Sequence, residues 1–182
     1  MKTLILVLTK GPHRFRFGPK NWHDWIVQCR KAVKLQRQLP EAVVYVPSAV
    51  QTRGYPSELE YYRNELAKQG LTESIQLISG RKALILEPLH YETIGQIERG
   101  YQFADVLSAK LVMVSTLFHF PRVAYLCRGK GVMHKVAWGM PNAIEAMTDC
   151  ALAVLFPLLD ALGLGKRFQR WAITHRESGK HI

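Results

Sequence analysis

The chain is poor in cysteine. Cys29, Cys127 and Cys150 stand far apart, and no Cys-x-x-Cys or Cys/His ligand spacing joins them. That excludes a disulfide scaffold and a cysteine-built zinc site, and it points to buried thiols in a reducing compartment. Long apolar runs are missing too: Leu4–Leu8 stops short of Lys10, and Ala151–Leu159 is interrupted by Pro157. Neither has the roughly 20 residues that a membrane-spanning helix needs. The first run follows Lys2 but lacks the length and the small-residue cleavage pattern of a signal peptide, so it is read as a buried first strand and the location expected is cytoplasmic. There is no internal repeat and no low-complexity tract. Glycine is thin where phosphate-binding loops want it, only Gly11 following the first apolar run in Leu8-Thr9-Lys10-Gly11. Acidic residues are outnumbered, 14 against 25 Lys and Arg, for a net charge of +11.

What is present is ordinary globular composition, 48% hydrophobic and 21% charged over 182 residues, enough for one domain with its own core. The expected organisation is a single α/β domain over residues 1–182 with a basic tail from about 165 onward. The charge is uneven: residues 1–53 carry +8, residues 54–110 carry −2 and residues 111–182 carry +5. Anionic partners of some kind are favoured. Short runs rich in Val, Leu and Ile alternate with amphipathic segments, the pattern of a mostly parallel sheet covered on both faces, a three-layer α/β/α Rossmann-like fold. Strands are expected at Leu4–Leu8, Ala42–Val46, Ile75–Ile78 (together with Ala83–Leu86), Leu111–Ser115 and His134–Trp138, the first, second and fourth parallel and adjacent or nearly so.

Five helices are expected between and after them. The first is capped by Asn21, buries Trp22, Trp25, Ile26, Cys29 and Val33, and closes at Pro40. The second opens with Ser57 and Glu60 in capping-box spacing, buries Leu59, Tyr62 and Leu66, and ends at Gly70. The third places Ile94, Ile97, Tyr101 and Ala104 on one stripe, and a short fourth starts near Pro121. The last starts at Asn142 with Glu145 and is expected to bury Ile144, Met147, Ala151, Leu155, Leu158 and Leu162.

In such a sheet, ligands bind beyond the carboxyl ends of the strands, where helix N-termini gather. Three loops deliver polar residues there: Pro47 to Glu58, Glu87 to Thr93, and Ser115 to Arg122. Three ordered motifs stand in them. Ser57-Glu58 opens a helix that Gly70 follows; Glu87-Pro88-Leu89-His90-Tyr91-Glu92-Thr93-Ile94-Gly95-Gln96 leads into the next; Val114-Ser115-Thr116-Leu117-Phe118-His119-Phe120-Pro121-Arg122 follows a strand. Together, over roughly residues 40–128, they resemble the family named after YdcF, SanA and ElyC, with its Ser-Glu helix, its Glu-x-x-Ser-x-Asn-Thr-x-x-Asn stretch and its Val-Thr-Ser-x-x-His-x-x-Arg signature. The chain departs from that pattern at Pro47-Ser48-Ala49, where the family has Ser-Gly-Gly, and at His90, Glu92 and Gln96, where it has Ser, Asn and Asn.

The resemblance implies a Rossmann-like domain, largely of unassigned biochemical function, with links to the cell envelope. It marks Glu58 and His119 as the proton-handling pair, and Thr93, Gln96, Ser115 and Arg122 as ligand contacts. Each residue also has a plainer explanation. Glu58 is favoured in a first helical turn by the dipole alone, and His119 between two phenylalanines reads equally as a core histidine. Arg122 is harder to place, because a helix start disfavours a cation; it is expected to neutralise Glu58 or a ligand. His90, His119, Glu58 and Glu87 follow no recognised ligand spacing, so no metal is implied, and no cofactor is identified.

Three readings follow. One is a site for a phosphate-bearing or nucleotide-like small molecule, with hydrolase or transferase chemistry. Another is a binding module that holds such a ligand without turning it over. The third is peripheral association of the basic ends with nucleic acid or anionic membrane, since Lys166, Arg167, Arg170, Arg176 and Lys180 interleave with Phe168 and Trp171.

Overall fold

A computed structural model describes residues 2–9, 23–48, 58–88, 93–139, 143–168 and 170–171. Its elements run β1 (Thr3–Val7), α1 (Asp24–Gln38), β2 (Ala42–Ser48), α2 (Glu58–Lys68), β3 (Leu84–Pro88), α3 (Thr93–Leu107), β4 (Lys110–Thr116), α4 (Phe120–Leu126), β5 (Met133–Ala137) and α5 (Ala143–Ala161). The five strands form one all-parallel sheet in the order β3-β2-β1-β4-β5, so the α/β, Rossmann-like architecture expected from the alternation is what the chain adopts. β1 lies between β2 and β4, with Leu6 opposite Tyr45 on one side and Met113 on the other.

Central strands are buried from both faces, which is why Leu4 to Val7 are apolar without alternation and all fully buried. The faces are told apart by what their side chains meet. A Cβ on Gly100 of α3 would come within 2.5 Å of Leu6 Cδ2, Tyr45 stacks on Phe103 of α3 at 5.0 Å, and Cys127 Sγ after α4 lies 3.5 Å from Met113 Sδ. Leu6, Tyr45 and Met113 are in register, so α3 and the end of α4 cover one face. α1 packs against α2 and carries Gln28, whose Nε2 donates to Leu8 O at 2.7 Å and whose Oε1 accepts from Tyr62 of α2 at 2.6 Å. Right-handed crossovers put this pair on the opposite face, because the chain moves outward from β1 to β3 and then jumps back to β4.

Several local expectations need correction. Ile75–Ile78 is not a strand. Gln76 and Lys82 make an isolated antiparallel bridge around Gly80, at φ 74°, and Ile78 is 96% exposed. The turn feeds Leu84–Pro88, so β3 comes from the run expected to accompany Ile75–Ile78 and not from Ile75–Ile78 itself, of which only Leu77 is buried. The N-cap of α1 is His23 rather than Asn21, and its buried face is Asp24, Gln28, Cys29, Ala32, Val33 and Leu35, with Trp25 and Ile26 only half-buried. Asn21, Trp22, Ser57 and Asn142 lie outside the described residues. On α2, Glu58 and Glu65 are buried with Tyr62 and Leu66, while Leu59 is half-buried. The inner stripe of α3 is Gln96, Ile97, Gly100 and Ala104.

The largest reversal is α5, where Met147, Ala151, Leu155, Leu158 and Leu162, expected inside, are exposed, while the side chain of Ile144 lies outside the described residues. Met147 is 73% exposed and Leu162 71%, while Asp149 and Phe156 are buried. The inward side is marked by two ion pairs. Asp149 and Asp160, three turns apart on the same side, reach Arg122 and Arg128 of the α4 segment at 3.1 and 3.2 Å. The terminations behave as the residues dictate. Gly70 takes φ 82° while the Leu71 N–H reaches back to Leu66 O, a Schellman closure of α2.

Candidate functional site

The strand order reverses at β1. From β1 the chain proceeds outward through β2 to β3, then returns to the other side for β4, which opens a crevice beyond the carboxyl ends of β1 and β4. Thr9, just past β1, is locked there. Its N–H donates to Gln96 Oε1 at 3.1 Å, its hydroxyl donates to Pro47 O at 3.0 Å, and Gln96 Nε2 donates to that hydroxyl at 2.8 Å. Gln96 is therefore brought to the carboxyl edge with its amide engaged by Thr9, tying α3 to the ends of β1 and β2. Sequence reasoning passed over Thr9; its place directly after a buried strand was the available signal.

On the β4 side, Ser115 and Thr116 close the strand, both buried, and neither Ser115 Oγ nor Thr116 Oγ1 has a hydrogen-bond partner among the described residues. Leaving a buried hydroxyl unmatched costs about 1–3 kcal/mol. Consecutive strand residues project to opposite faces, so Ser115 shares the α3 and α4 face with Met113 while Thr116 turns to the face of α1 and α2. Each marks a place at the carboxyl end of a central strand where a polar atom is wanted.

Beyond them the structure gathers Thr93, His119 and Arg122. Thr93 begins α3, His119 is the N-cap of α4, and Arg122 lies one turn on. Thr93 Oγ1 is 3.1 Å from His119 Nε2, and one terminal nitrogen of Arg122 lies 3.1 Å from Thr93 Oγ1 and 2.8 Å from His119 Nε2. A guanidinium only donates, so Nε2 of His119 must accept, which places the ring proton on Nδ1. The same Arg122 nitrogen is 3.1 Å from Asp149 Oδ1, in a pair whose side chains are 14% and 4% exposed. Arg122 was expected to face Glu58 or a ligand; the carboxylate that it meets here is Asp149 of α5. Asp149 was missed because α5 was read as apolar side inward, although an aspartate amid apolar neighbours is itself a signal.

Glu58 opens α2 beyond β2 and is buried. In an all-parallel sheet the helices that follow β2 and β4 both start at the carboxyl edge, α2 with Glu58 and α4 just after His119. Both stand at the carboxyl edge, Glu58 on the side of α1 and α2 and His119 beside α3 and α4. Asp24, in the first turn of α1, is a second buried carboxylate on the Glu58 side, and it was not singled out from the sequence.

Next to this edge, Glu87 on β3 takes three hydrogen bonds from Arg99, at 2.9 to 3.2 Å, and one from the Tyr45 hydroxyl. Partial burial pushes the Glu87 carboxyl up, but the bonds from Arg99 and Tyr45 outweigh it and hold the group below its ordinary value. Burial, reinforced by Glu87, pushes the Tyr45 phenol well up. Burial also lowers His134 of β5. A groove of about 430 Å³ between α1 and α2 is lined by His23, Trp25, Ile26, Tyr61, Glu65 and Lys68 among others, and none of the site residues lines it. Among the described residues, no group of three or more His, Cys, Asp and Glu is placed to hold a metal ion, and no helix is long and apolar enough to cross a membrane. Comparison with family models, with curated proteins and with solved structures found no match to this chain.

Proposed function

We propose that the chain binds a phosphate-bearing or nucleotide-like small molecule at the carboxyl edge of β1 and β4. The observation that carries this reading is the buried, unmatched hydroxyl of Ser115 at the carboxyl end of β4, on the face covered by α3 and α4, from which the chain runs into the turn that presents His119 and the guanidinium of Arg122 held by Asp149. A phosphoryl oxygen accepts from both kinds of donor, and Arg122 supplies the opposite charge. Thr93 sets the His119 ring beside it, and Gln96 keeps the floor of the crevice fixed through Thr9. Hydrolase or transferase chemistry extends the proposal: His119 exchanges a proton and Glu58 acts as base or orients a ligand hydroxyl. Likeness of the three motifs to the YdcF, SanA and ElyC family supports the same edge and suggests envelope-related, lipid-linked phosphates among the ligands, with the protein acting from the cytoplasmic side.

One observation favours binding without turnover. His119 is fully buried and its Nε2 is occupied by Arg122 and Thr93, so proton exchange requires Arg122 to swing toward the ligand first.

The test is thermal unfolding with inorganic phosphate, nucleotides, sugar phosphates and polyprenyl phosphates, each beside its dephosphorylated counterpart. A ligand at a hundred times its Kd adds about 2.7 kcal/mol of stability. Ser115→Ala should leave the unliganded protein as stable or more so, since it removes an unmatched buried hydroxyl, and should shrink the ligand shift. Absence of any shift at millimolar phosphate compounds, or a shift untouched in Ser115→Ala, defeats the proposal. Turnover of a bound ligand that His119→Ala abolishes would decide for the catalytic extension over the binding module.

A further inference from the structure

The apolar stripe of α5 is turned to the outside. At 3.6 residues per turn, Met147, Ala151, Val154, Leu155, Leu158 and Leu162 fall within an arc of about 100°. No charged side chain shares that arc; Asp149 and Asp160 lie on the other side, engaged with Arg122 and Arg128. Val154 is 63% exposed and Leu158 55%, values ordinary for a surface lysine and unusual for a row of leucines and valines. The stripe leads directly into basic chain. Past Gly163, Lys166, Arg167 and Arg170 are exposed, and Trp171 is exposed beside them, stacked on Phe168. From residue 161 onward the sequence carries five Lys and Arg against one Glu.

We propose that this surface docks on an anionic lipid bilayer, with α5 lying in the interfacial plane. An apolar arc bordered by cations and a tryptophan is the surface that inserts at the headgroup level, its apolar residues entering the acyl boundary while Lys and Arg meet lipid phosphates. α5 is not long and apolar enough to cross the bilayer. Charge complementarity selects this occupant. A chain of net charge +11 repels a second copy of itself, and nucleic acid has no use for a leucine row. The inversion of α5 follows as well: with its aspartates drawn inward by arginines, its apolar side is left for a partner that is itself apolar under a negative skin.

The experiment is flotation of the full chain with vesicles of phosphatidylcholine alone and of phosphatidylcholine containing a third phosphatidylglycerol. The wild type should bind the anionic vesicles at least tenfold more tightly, from three cations near the surface. Leu158→Gln with Leu162→Gln should weaken anionic-vesicle binding about tenfold or more at unchanged charge. Lys166→Gln, Arg167→Gln and Arg170→Gln together should remove the preference for phosphatidylglycerol. Far-ultraviolet circular dichroism and melting of both variants establish that they are folded; their changes are on exposed side chains. If a variant is misfolded, single Leu158→Gln and Arg167→Gln variants replace it. Equal affinity of wild type and the leucine variant for anionic vesicles overturns the proposal, as does no binding at all. A dimer in sedimentation equilibrium that the leucine variant dissociates, with no vesicle binding, reassigns the stripe to a contact between copies. Tight duplex DNA binding lost only in the basic variant, again without vesicle binding, reassigns the basic segment to nucleic acid.

Discussion

Arg122 sits where the helix dipole opposes a cation by a few tenths of a kcal/mol, and it tolerates that because Asp149 supplies a nearly enclosed carboxylate at 3.1 Å. Removing one partner of such a pair leaves the other charge in a site with little water, and that penalty exceeds the value of the pair itself. Arg122→Ala is therefore expected to destabilise the protein by about 3–5 kcal/mol, and Asp149→Asn by somewhat less, because the amide still accepts a hydrogen bond. The double variant should cost clearly less than the two singles together, with a coupling of about 1–3 kcal/mol. Urea unfolding of the four proteins reads this directly. A loss under about 1 kcal/mol for Arg122→Ala would mean that the arginine is held for a ligand and hardly for the fold. The sequence carried half of this. The odd position of Arg122 was visible, but its partner lies 27 residues downstream on a helix whose orientation periodicity alone assigned backward.

Between elements, the Tyr45–Glu87–Arg99 cluster joins β2, β3 and α3, and it makes acid stability depend on one carboxylate. Glu87 is held below its ordinary value of 4.5, so the unfolded chain binds its proton at a higher pH than the folded one does. Its contribution is complete above that ordinary value and is lost as pH falls through the lower, folded value. Glu87→Gln should cost about 1 kcal/mol at neutral pH, a modest figure because Arg99 is 40% exposed and water screens the pair. The gap to wild type should close as the pH drops below 4.5. Melting temperatures across that range check it, and a gap that stays constant or widens in acid contradicts the assignment. Element by element, strands were legible wherever apolar runs were uninterrupted, because burial on both faces forces that composition on β1, β2 and β4. Ile75–Ile78 misled because a glycine turn, with no periodicity of its own, consumes the run. α5 misled because amphipathic periodicity gives the axis of a helix's two faces and not the sign, which here goes with Arg122 on α4 and Arg128 just after it.

At the scale of the whole molecule, the sheet divides the core into two layers, and the cysteines report on both. Cys29 sits in α1 on one face and Cys127 follows α4 on the other, both buried, while Cys150 on α5 is exposed. Burial raises the Cys29 and Cys127 thiols, so the reactive thiolate is scarce in the folded state and labelling of either requires opening. Five strands in one parallel sheet, each buried central strand serving both layers, leave no plane along which one layer can melt while the other stands. With a thiol reagent slow enough for opening to pre-equilibrate, Cys29 and Cys127 should then give the same opening free energy, within about 0.5 kcal/mol, and it should match the global value from urea. Cys150 should label at the rate of a free thiol in the same sample, which confirms that the reagent is active. If Cys127 reacted at a markedly lower opening free energy, the α4–α5 side would be a separate unit riding on the sheet. The Arg122–Asp149 pair would then be stabilising that unit alone, and its loss in Arg122→Ala would expose Cys127 without changing the protection of Cys29.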